Sequence, residues 1–150
     1  MNSVELVGNC GLYCGACTIY RAERDDQGWR GKLAEKFNCT IEQVSCNGCG
    51  ALTANCWGNG CKIVKCARAK GYNYCYECEE YKDNSCEKFA NLYNRYLENS
   101  RIDLRNNLAM IQECKIDELL ARSSERFKCK YCLKPTVAGA KTCHHCNREL

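Results

Sequence analysis

The chain has 150 residues, of which 17 are cysteine and 27% are charged, and its formal net charge at pH 7 is +4. Leu, Ile, Val and Phe make up fewer than a fifth of the residues, a share at which a polar chain is expected to be disordered unless something besides an apolar core holds it together. The start of the sequence lacks the basic residues and the apolar run of roughly 7 to 15 residues that an export signal needs, and no later segment is long enough to span a bilayer. We therefore expect a cytoplasmic protein whose thiols stay reduced and available to metal, rather than a secreted disulfide scaffold.

The basic charge does not by itself predict nucleic-acid binding. The value of +4 counts every thiol as neutral, whereas a zinc ion with four thiolates has a net charge of −2, so three such sites reverse the sign. Each structural zinc site can also contribute roughly 10 to 16 kcal/mol of apparent folding free energy. Metal binding therefore explains how so small a share of apolar residues is tolerated.

The sequence of the first part of the chain predicts short helices and one candidate strand. Residues 4–7 are the best strand candidate outside the C-terminal region, and residues 19–23 are predicted to be helical. Trp29, Leu33 and Phe37 recur at i, i+4 and i+8 and predict one face of a second helix. Next, the segment that begins at Thr40 and reaches Gln43 fits a capping box and predicts a short helix leading toward Cys46.

Three helices are predicted in the region with few cysteines that follows residue 86. The first begins near residue 84 or 85, and its apolar stripe is Phe89, Leu92, Tyr93, Tyr96 and Leu97. Ser100 is the predicted cap of the second, on which Leu104, Leu108 and Ile111 share a face. The third is short and is marked by Ile116, Leu119 and Leu120.

Together these patterns predict a small metal-stabilised protein, mainly α with irregular loops. We expect a cysteine-rich multi-zinc domain over residues 1–88, a helical segment over residues 89–126 that packs on it, and a β-hairpin zinc ribbon over residues 127–150.

Ten of the cysteines fall into five CxxC pairs. Two thiolates at this spacing reach one metal ion at tetrahedral geometry, as in structural zinc sites, whereas a disulfide between them would be strained. In the C-terminal region two pairs are ten residues apart, which is the spacing of a zinc ribbon. The predicted ligands there are Cys129, Cys132, Cys143 and Cys146.

Several neighbours of these ligands bear on the prediction. His144 and His145 offer alternative ligands, but we favour an all-thiolate site with both imidazoles directed to solvent, because four thiols complete the shell. Asn147 suits a left-handed turn after its pair, whereas Leu133 does not. Gly139 lies where the chain must reverse. Basic and aromatic side chains nearby indicate nucleic-acid binding as a weaker alternative: Phe127, Lys128, Lys130, Tyr131, Lys134, Lys141 and Arg148.

The N-terminal region has no histidine, so its metal sites must use thiolates. Cys39 and Cys114 lack a partner at ligand spacing and are predicted to be buried small apolar residues. The remaining candidates are Cys10, Cys14, Cys17, Cys46, Cys49, Cys56, Cys61, Cys66, Cys75, Cys78 and Cys86. Four-coordinate sites do not use eleven thiols evenly, so either another ligand closes a third site or one position stays open, as in some iron–sulfur clusters.

The order of the motifs resembles a family of small prokaryotic cysteine-rich proteins, a domain of unknown function. The sequence reads CGLYCGAC at residues 10–17, CNGC at 46–49, CKIVKCARAKG at 61–71 and CYEC at 75–78, and a last cysteine follows at 86. Thr18 and Ser85 stand where the family often has proline. The resemblance implies metal binding, with zinc as the usual metal, and it implies no reaction; some members append a helical segment and a ribbon.

We therefore expect a zinc-binding protein with three or four ions that acts as an adaptor or binding module for a protein partner, without membrane association and more plausibly not an enzyme. The alternative is an iron–sulfur protein of electron transfer or redox sensing, with Cys10, Cys14 and Cys17 among the cluster ligands.

Overall fold

A computed structural model of the protein describes residues 3–150. Over these residues the chain forms seven α-helices and no β-strand, with short 3-10 turns between them. The helices, named α1 to α7 in chain order, are Thr18–Asp25, Gln27–Phe37, Lys62–Lys70, Glu79–Lys82, Glu87–Ser100, Leu104–Gln112 and Ile116–Arg126. The predicted small, mainly helical, cysteine-rich fold is confirmed. None of the described helices combines the length and the apolar character needed to cross a membrane.

Helices α1 and α2 form the first packed pair. Helix α1 includes the predicted helical residues 19–23, and α2 carries the predicted face. Asp26 caps α2, because its carboxylate accepts a hydrogen bond from the backbone N–H of Trp29 at 3.0 Å. Leu33 on this face is buried, whereas Phe37 is 41% exposed, so the predicted stripe is only partly core.

A small core lies beneath this pair. The predicted capping box at Thr40 is confirmed, although it opens the 3-10 turn Ile41–Gln43 rather than an α-helix. The turn leads Val44 into the core, where that side chain is fully buried. The buried members of this core are Ile19, Ala22, Leu33, Ala34, Val44, Cys46 and Cys56.

The predicted strand over residues 4–7 is wrong. Ser3–Leu6 is a 3-10 turn, which leaves the carbonyl oxygen of Glu5 to accept a hydrogen bond from the backbone N–H of Gly50 at 3.1 Å. The two segments touch so closely that a Cβ at Gly48, where φ is +101°, would lie 2.2 Å from the same oxygen. The cysteine turn at residues 46–49 is therefore held against the start of the chain by backbone contact.

The larger core is shared by the later helices and the N-terminal cysteine region. Phe89 is 1% exposed and Leu104 and Leu108 are fully buried, as the helical stripes predicted, whereas Leu97 at the stripe's edge is 36% exposed. The buried members are Val7, Cys10, Ile63, Phe89, Ile102, Leu104, Leu108, Met110, Ile111 and Leu119. The position of Cys10 in this core ties a candidate ligand to the helical scaffold. The predicted division into three domains stays a prediction.

Two predicted helix starts are displaced. Helix α5 begins at Glu87 rather than at residue 84 or 85, because Asn84 has a φ of 61°, a left-handed conformation that an α-helix cannot continue. Ser100 is the last residue of α5 and not the cap of α6. Asp103 caps α6 instead, since its carboxylate accepts a hydrogen bond at 3.0 Å from the backbone N–H three residues further on.

The C-terminal region contains two isolated antiparallel bridges where β-hairpins were expected. The bridges pair Lys128 with Pro135 and Thr142 with Glu149, and no strand extends from either within residues 127–150. Backbone hydrogen bonds also cross each turn, from the N–H of Cys129 to Lys134 and from the N–H of Cys143 to Arg148, each at 2.9 Å. The prediction of a β-hairpin zinc ribbon over residues 127–150 is therefore wrong in its secondary structure, because the pairing does not extend into strands. Asn147 is left-handed as predicted, with a φ of 58°, but the prediction for Leu133 is wrong, since its φ is 60°.

Candidate metal centres

Four sulfur atoms converge in the C-terminal region. The Sγ atoms of Cys129, Cys132, Cys143 and Cys146 all lie within 4.8 Å of one another. The Cys129–Cys146 and Cys132–Cys143 pairs are each 3.7 Å apart. A tetrahedron of sulfurs about 2.3 Å from a zinc ion has edges of about 3.8 Å, so this thiol set fits a four-coordinate ion without rearrangement.

Backbone N–H groups face these sulfurs. The N–H of Tyr131 donates to Sγ of Cys129, and the N–H of His145 donates to Sγ of Cys143, each at 3.4 Å. The backbone N–H of Cys132, together with that of Tyr131, lowers the pKa of Cys129 to about 6 against the opposing effect of burial. These N–H donors favour the thiolate form of Cys129, which is the form that binds metal.

A second group of thiols surrounds Cys14. The backbone N–H of Cys49 donates to Sγ of Cys14 at 3.1 Å. A Cβ placed on Gly8 would lie 3.5 Å from Sγ of Cys10 and 3.7 Å from Sγ of Cys49, so these two sulfurs flank the same backbone. Burial raises the pKa of both Cys10 and Cys17, and the charge of Cys49 raises each further. Mutual repulsion of this kind is relieved when a cation joins the group.

A third group lines a cavity of about 30 Å³, which is room for one water-sized occupant. Burial, together with the neighbouring charge of Cys86, raises the pKa of Cys75 to about 12. Nζ of Lys70 donates to Sγ of Cys78 at 3.4 Å and to Oε1 of Glu80 at 3.0 Å. The cysteines in the cavity wall are Cys66, Cys75, Cys78 and Cys86.

Cys46 and Cys56 lie in the smaller core. Burial, together with the charge of Cys49 from the group around Cys14, raises the pKa of Cys46 to about 11. Burial also acts on Cys56, but hydrogen bonds outweigh it and lower the pKa, because the backbone N–H of Thr53 and its Oγ1 lie 3.3 Å and 3.4 Å from Sγ. Cys39 lines the same open groove as Cys56. This set supplies three thiols.

Three cysteines behave differently from the grouped ones. Cys61 is half-buried and raises the pKa of both Cys10 and Cys75, so it lies between the second and third groups. Cys39 is half-buried rather than buried. The prediction that Cys114 is buried is wrong: it is exposed, with a φ of 61°, because it ends the turn after α6.

The two imidazoles do not join the thiols and do not face solvent, so the expectation of solvent-facing rings is wrong. Nε2 of His144 lies 2.9 Å from Oδ2 of Asp25 on α1, and each imidazole side chain is only 14% exposed. Asp25 was missed by sequence reasoning, as was Lys70. Nothing local marks Asp25, because its partner lies 119 residues away.

The basic surface of the C-terminal region is present around one aromatic ring. Tyr131 is 48% exposed, and its ring centroid lies 5.0 Å from Nζ of Lys130 and 4.9 Å from Cζ of Arg148. Phe127, by contrast, packs against the larger core. Lys128 is paired with Glu125 at 2.5 Å. Lys134 and Lys141 are exposed too, but the cations that lie beside the Tyr131 ring are Lys130 and Arg148.

Fold and sites together define a small helical protein organised around clustered thiols. The chain belongs to the family described as "Protein of unknown function (DUF3795)", which matches residues 6–91. The matched range contains twelve of the seventeen cysteines and ends within α5, so the thiols of the C-terminal region lie outside it. Comparisons with curated proteins and with solved structures find no match.

Proposed function

We propose that the protein binds zinc at several structural thiolate sites. The observation that carries this proposal is the C-terminal thiol set, whose two 3.7 Å sulfur pairs match the edges of a zinc tetrahedron. Two CxxC turns, each closed by a single antiparallel bridge, present these four thiols to one ion without β-strands in residues 127–150. Together with the reduced thiols this suits a cytoplasmic protein.

The grouping of the other thiols supports three ions, with room for a fourth. The group around Cys14 supplies four sulfurs and the group around the small cavity supplies four more. Cys39, Cys46 and Cys56 supply a further three, which need one more ligand to close a site. Zinc is favoured over an iron–sulfur cluster because the 3.7 Å sulfur pairs of the C-terminal thiol set enclose room for one ion and not for several iron atoms.

The metal proposal is tested by counting ions. Protein purified without oxygen should contain at least three zinc ions per chain and no more than traces of iron, and its solution should be colourless. A brown protein with a band near about 400 nm would replace zinc by an iron–sulfur cluster. Cys129→Ser should remove one ion, whereas Cys114→Ser, at an exposed site, should remove none. Protein isolated without metal would refute the proposal.

As its role we propose a binding module for a protein partner. A pair of exposed aromatic rings supports this: Phe37 is 41% and Trp57 is 39% exposed, and their centroids are 4.9 Å apart. The rings lie beside an open groove of about 540 Å³ that Trp57 helps to line. Aromatic residues at this exposure are typical of the contact residues of protein interfaces.

The partner proposal is tested by comparison of two baits. Immobilised wild-type protein and the variant Phe37→Ala/Trp57→Ala, both with full metal content, are exposed to the same cell extract and the bound proteins are quantified. We expect a protein that the wild type and a Leu133→Ala control retain equally and the variant loses. Identical retention by wild type and variant would refute a role for these rings.

A second candidate rests on Tyr131, whose exposed ring between two cations suits stacking by a nucleobase. Single-stranded RNA binding that weakens steeply with added salt and is lost in Tyr131→Ala would support this candidate. Binding that Tyr131→Ala leaves unchanged would refute it.

A further inference from the structure

The chain has two histidines, and their imidazole nitrogens both approach the same carboxylate oxygen. This contact lies outside the groups of thiols. Oδ2 of Asp25 lies 2.9 Å from Nε2 of His144 and 3.4 Å from Nε2 of His145. All three side chains are 13–14% exposed. Two neighbouring residues of the C-terminal region are thus aimed at a single point on α1.

The spacing of these atoms suits one bound ion. Nitrogen and oxygen ligands about 2.0 to 2.1 Å from a tetrahedral ion are about 3.3 Å from one another. The carbonyl oxygen of Pro135 lies 3.1 Å from Nε2 of His145, so a further oxygen borders the same point. Two imidazoles and a carboxylate are a ligand set that suits borderline divalent ions such as Zn²⁺, Co²⁺ and Fe²⁺. It differs from the softer, all-sulfur ligand sets of the proposed thiolate sites.

We infer that Asp25, His144 and His145 form a separate site for a divalent transition-metal ion, with a coordination position left open. This site would join α1 to the C-terminal region. Its ligands are distinct from those of the proposed thiolate sites, because no sulfur atom belongs to it.

Arg21 shapes the open position. Its Nε lies 3.7 Å from Oδ2 of Asp25, is buried, and has no hydrogen-bond partner among the described residues. A buried donor without an acceptor is costly, and an oxygen ligand such as hydroxide on the ion would accept its proton in a hydrogen bond. The positive charge of Arg21 also favours an anionic ligand at that position.

The competing account is a metal-free contact in which the two imidazole rings donate hydrogen bonds to the carboxylate of Asp25. Nδ1 of His144 is buried without a partner. When Nε2 binds an ion, the ring proton resides on this Nδ1, where no acceptor meets it, so the affinity should be weaker than that of a structural zinc site. A titration with added metal therefore separates the two accounts.

Trp29 supplies the readout, because its ring centroid lies 4.7 Å from that of His144. The other tryptophan, Trp57, is removed as Trp57→Phe, and the full chain is first loaded with zinc and freed of excess metal. Co²⁺ is then added; it does not displace zinc from the thiolates, because zinc lies above cobalt in the affinity order. We expect one Co²⁺ to bind per chain and to quench the fluorescence of Trp29. The absorption spectrum should show weak visible bands without thiolate-to-cobalt charge transfer.

Asp25→Asn should weaken Co²⁺ binding by about 100-fold, while the matched control Glu98→Gln, at an exposed carboxylate on α5, should leave it unchanged. Zinc content is measured in every variant to show that the thiolate sites remain. The proposal is overturned if the wild type binds no additional Co²⁺, or if Asp25→Asn and the double variant His144→Ala/His145→Ala bind it as the wild type does.

A measurement on wild-type protein makes the test independent of how the variants fold. Proton NMR of the Co²⁺-loaded protein should show hyperfine-shifted exchangeable N–H resonances from two imidazoles. Because the chain has no other histidine, these signals can come only from His144 and His145. Bound Co²⁺ without shifted imidazole signals would place the ion elsewhere and overturn the proposal.

Discussion

Replacement of Gly48 by alanine tests the contact that holds the cysteine turn at residues 46–49 against the start of the chain. An added Cβ would lie 2.2 Å from the carbonyl oxygen of Glu5, and φ at this position is +101°. Contacts of a Cβ under 3.0 Å do not occur in proteins, so the two segments must separate by about 0.8 Å. The hydrogen bond from Gly50 to Glu5, at 3.1 Å, would then be lost.

The expected destabilisation combines three effects. Steric overpacking costs about 1 to 3 kcal/mol. A side chain at this positive φ costs at least about 1 kcal/mol, and loss of the hydrogen bond costs about 0.5 to 1.5 kcal/mol. These effects partly overlap, because one backbone movement relieves both the clash and the strain. We therefore expect a loss of about 3 kcal/mol in the free energy of unfolding for Gly48→Ala.

Two other glycines serve as matched controls. Gly71 has a φ of +71° but open space around its Cβ, so Gly71→Ala should show the strain alone, about 1 to 2 kcal/mol. Gly60 has open space and no positive φ, so Gly60→Ala should change stability by less than about 0.5 kcal/mol. The three variants thus separate the backbone effect from the contact.

Urea unfolding of the zinc-loaded, reduced proteins, followed by far-UV circular dichroism, measures the series. At an m-value of about 2 kcal/mol per M, Gly48→Ala should lower the midpoint by about 1.5 M. Zinc content is measured beforehand, so that differences in metal loading are not taken for differences in packing. If Gly48→Ala is no less stable than Gly71→Ala, the close approach to Glu5 does not exist and the reasoning is wrong.

Three further outcomes are expected. Phe89→Ala should cost about 3 to 5 kcal/mol in urea unfolding because this ring is 1% exposed, whereas Leu97→Ala, at 36% exposure on the same helix, should cost less than about 1 kcal/mol. Asp103→Ala should cost about 1 kcal/mol through loss of the α6 cap, and Ser100→Ala should be nearly neutral; equal effects would contradict the assigned cap. Removal of metal with a strong chelator should abolish most of the helical circular dichroism signal, and a metal-free protein that keeps the full signal would contradict metal-dependent folding.

Local patterns explain which parts of the fold were predictable. The stripe that includes Phe89 and the capping box at Thr40 each involve residues within two helical turns, where periodicity and side-chain hydrogen bonding act directly on the backbone. The cap of α6 was misplaced because Ser100 and Asp103 are both good capping residues, and only the path of the chain after α5 selects between them. The strand expected over residues 4–7 was not predictable in the same way, because its backbone is paired with Gly50, which lies more than 40 positions along the chain.

The cysteine spacing by itself determined which residue type organises the protein and, in the C-terminal region, which four thiols converge, because two residues between cysteines already bring their sulfurs to one ion. Only the tertiary structure decided how the N-terminal thiols divide among groups, since Cys14 meets Cys49 across 35 positions. It alone also brought His144 onto Asp25 across 119 positions. Short spacings constrain the local backbone directly, whereas distant residues meet only where the packing of helices and turns places them.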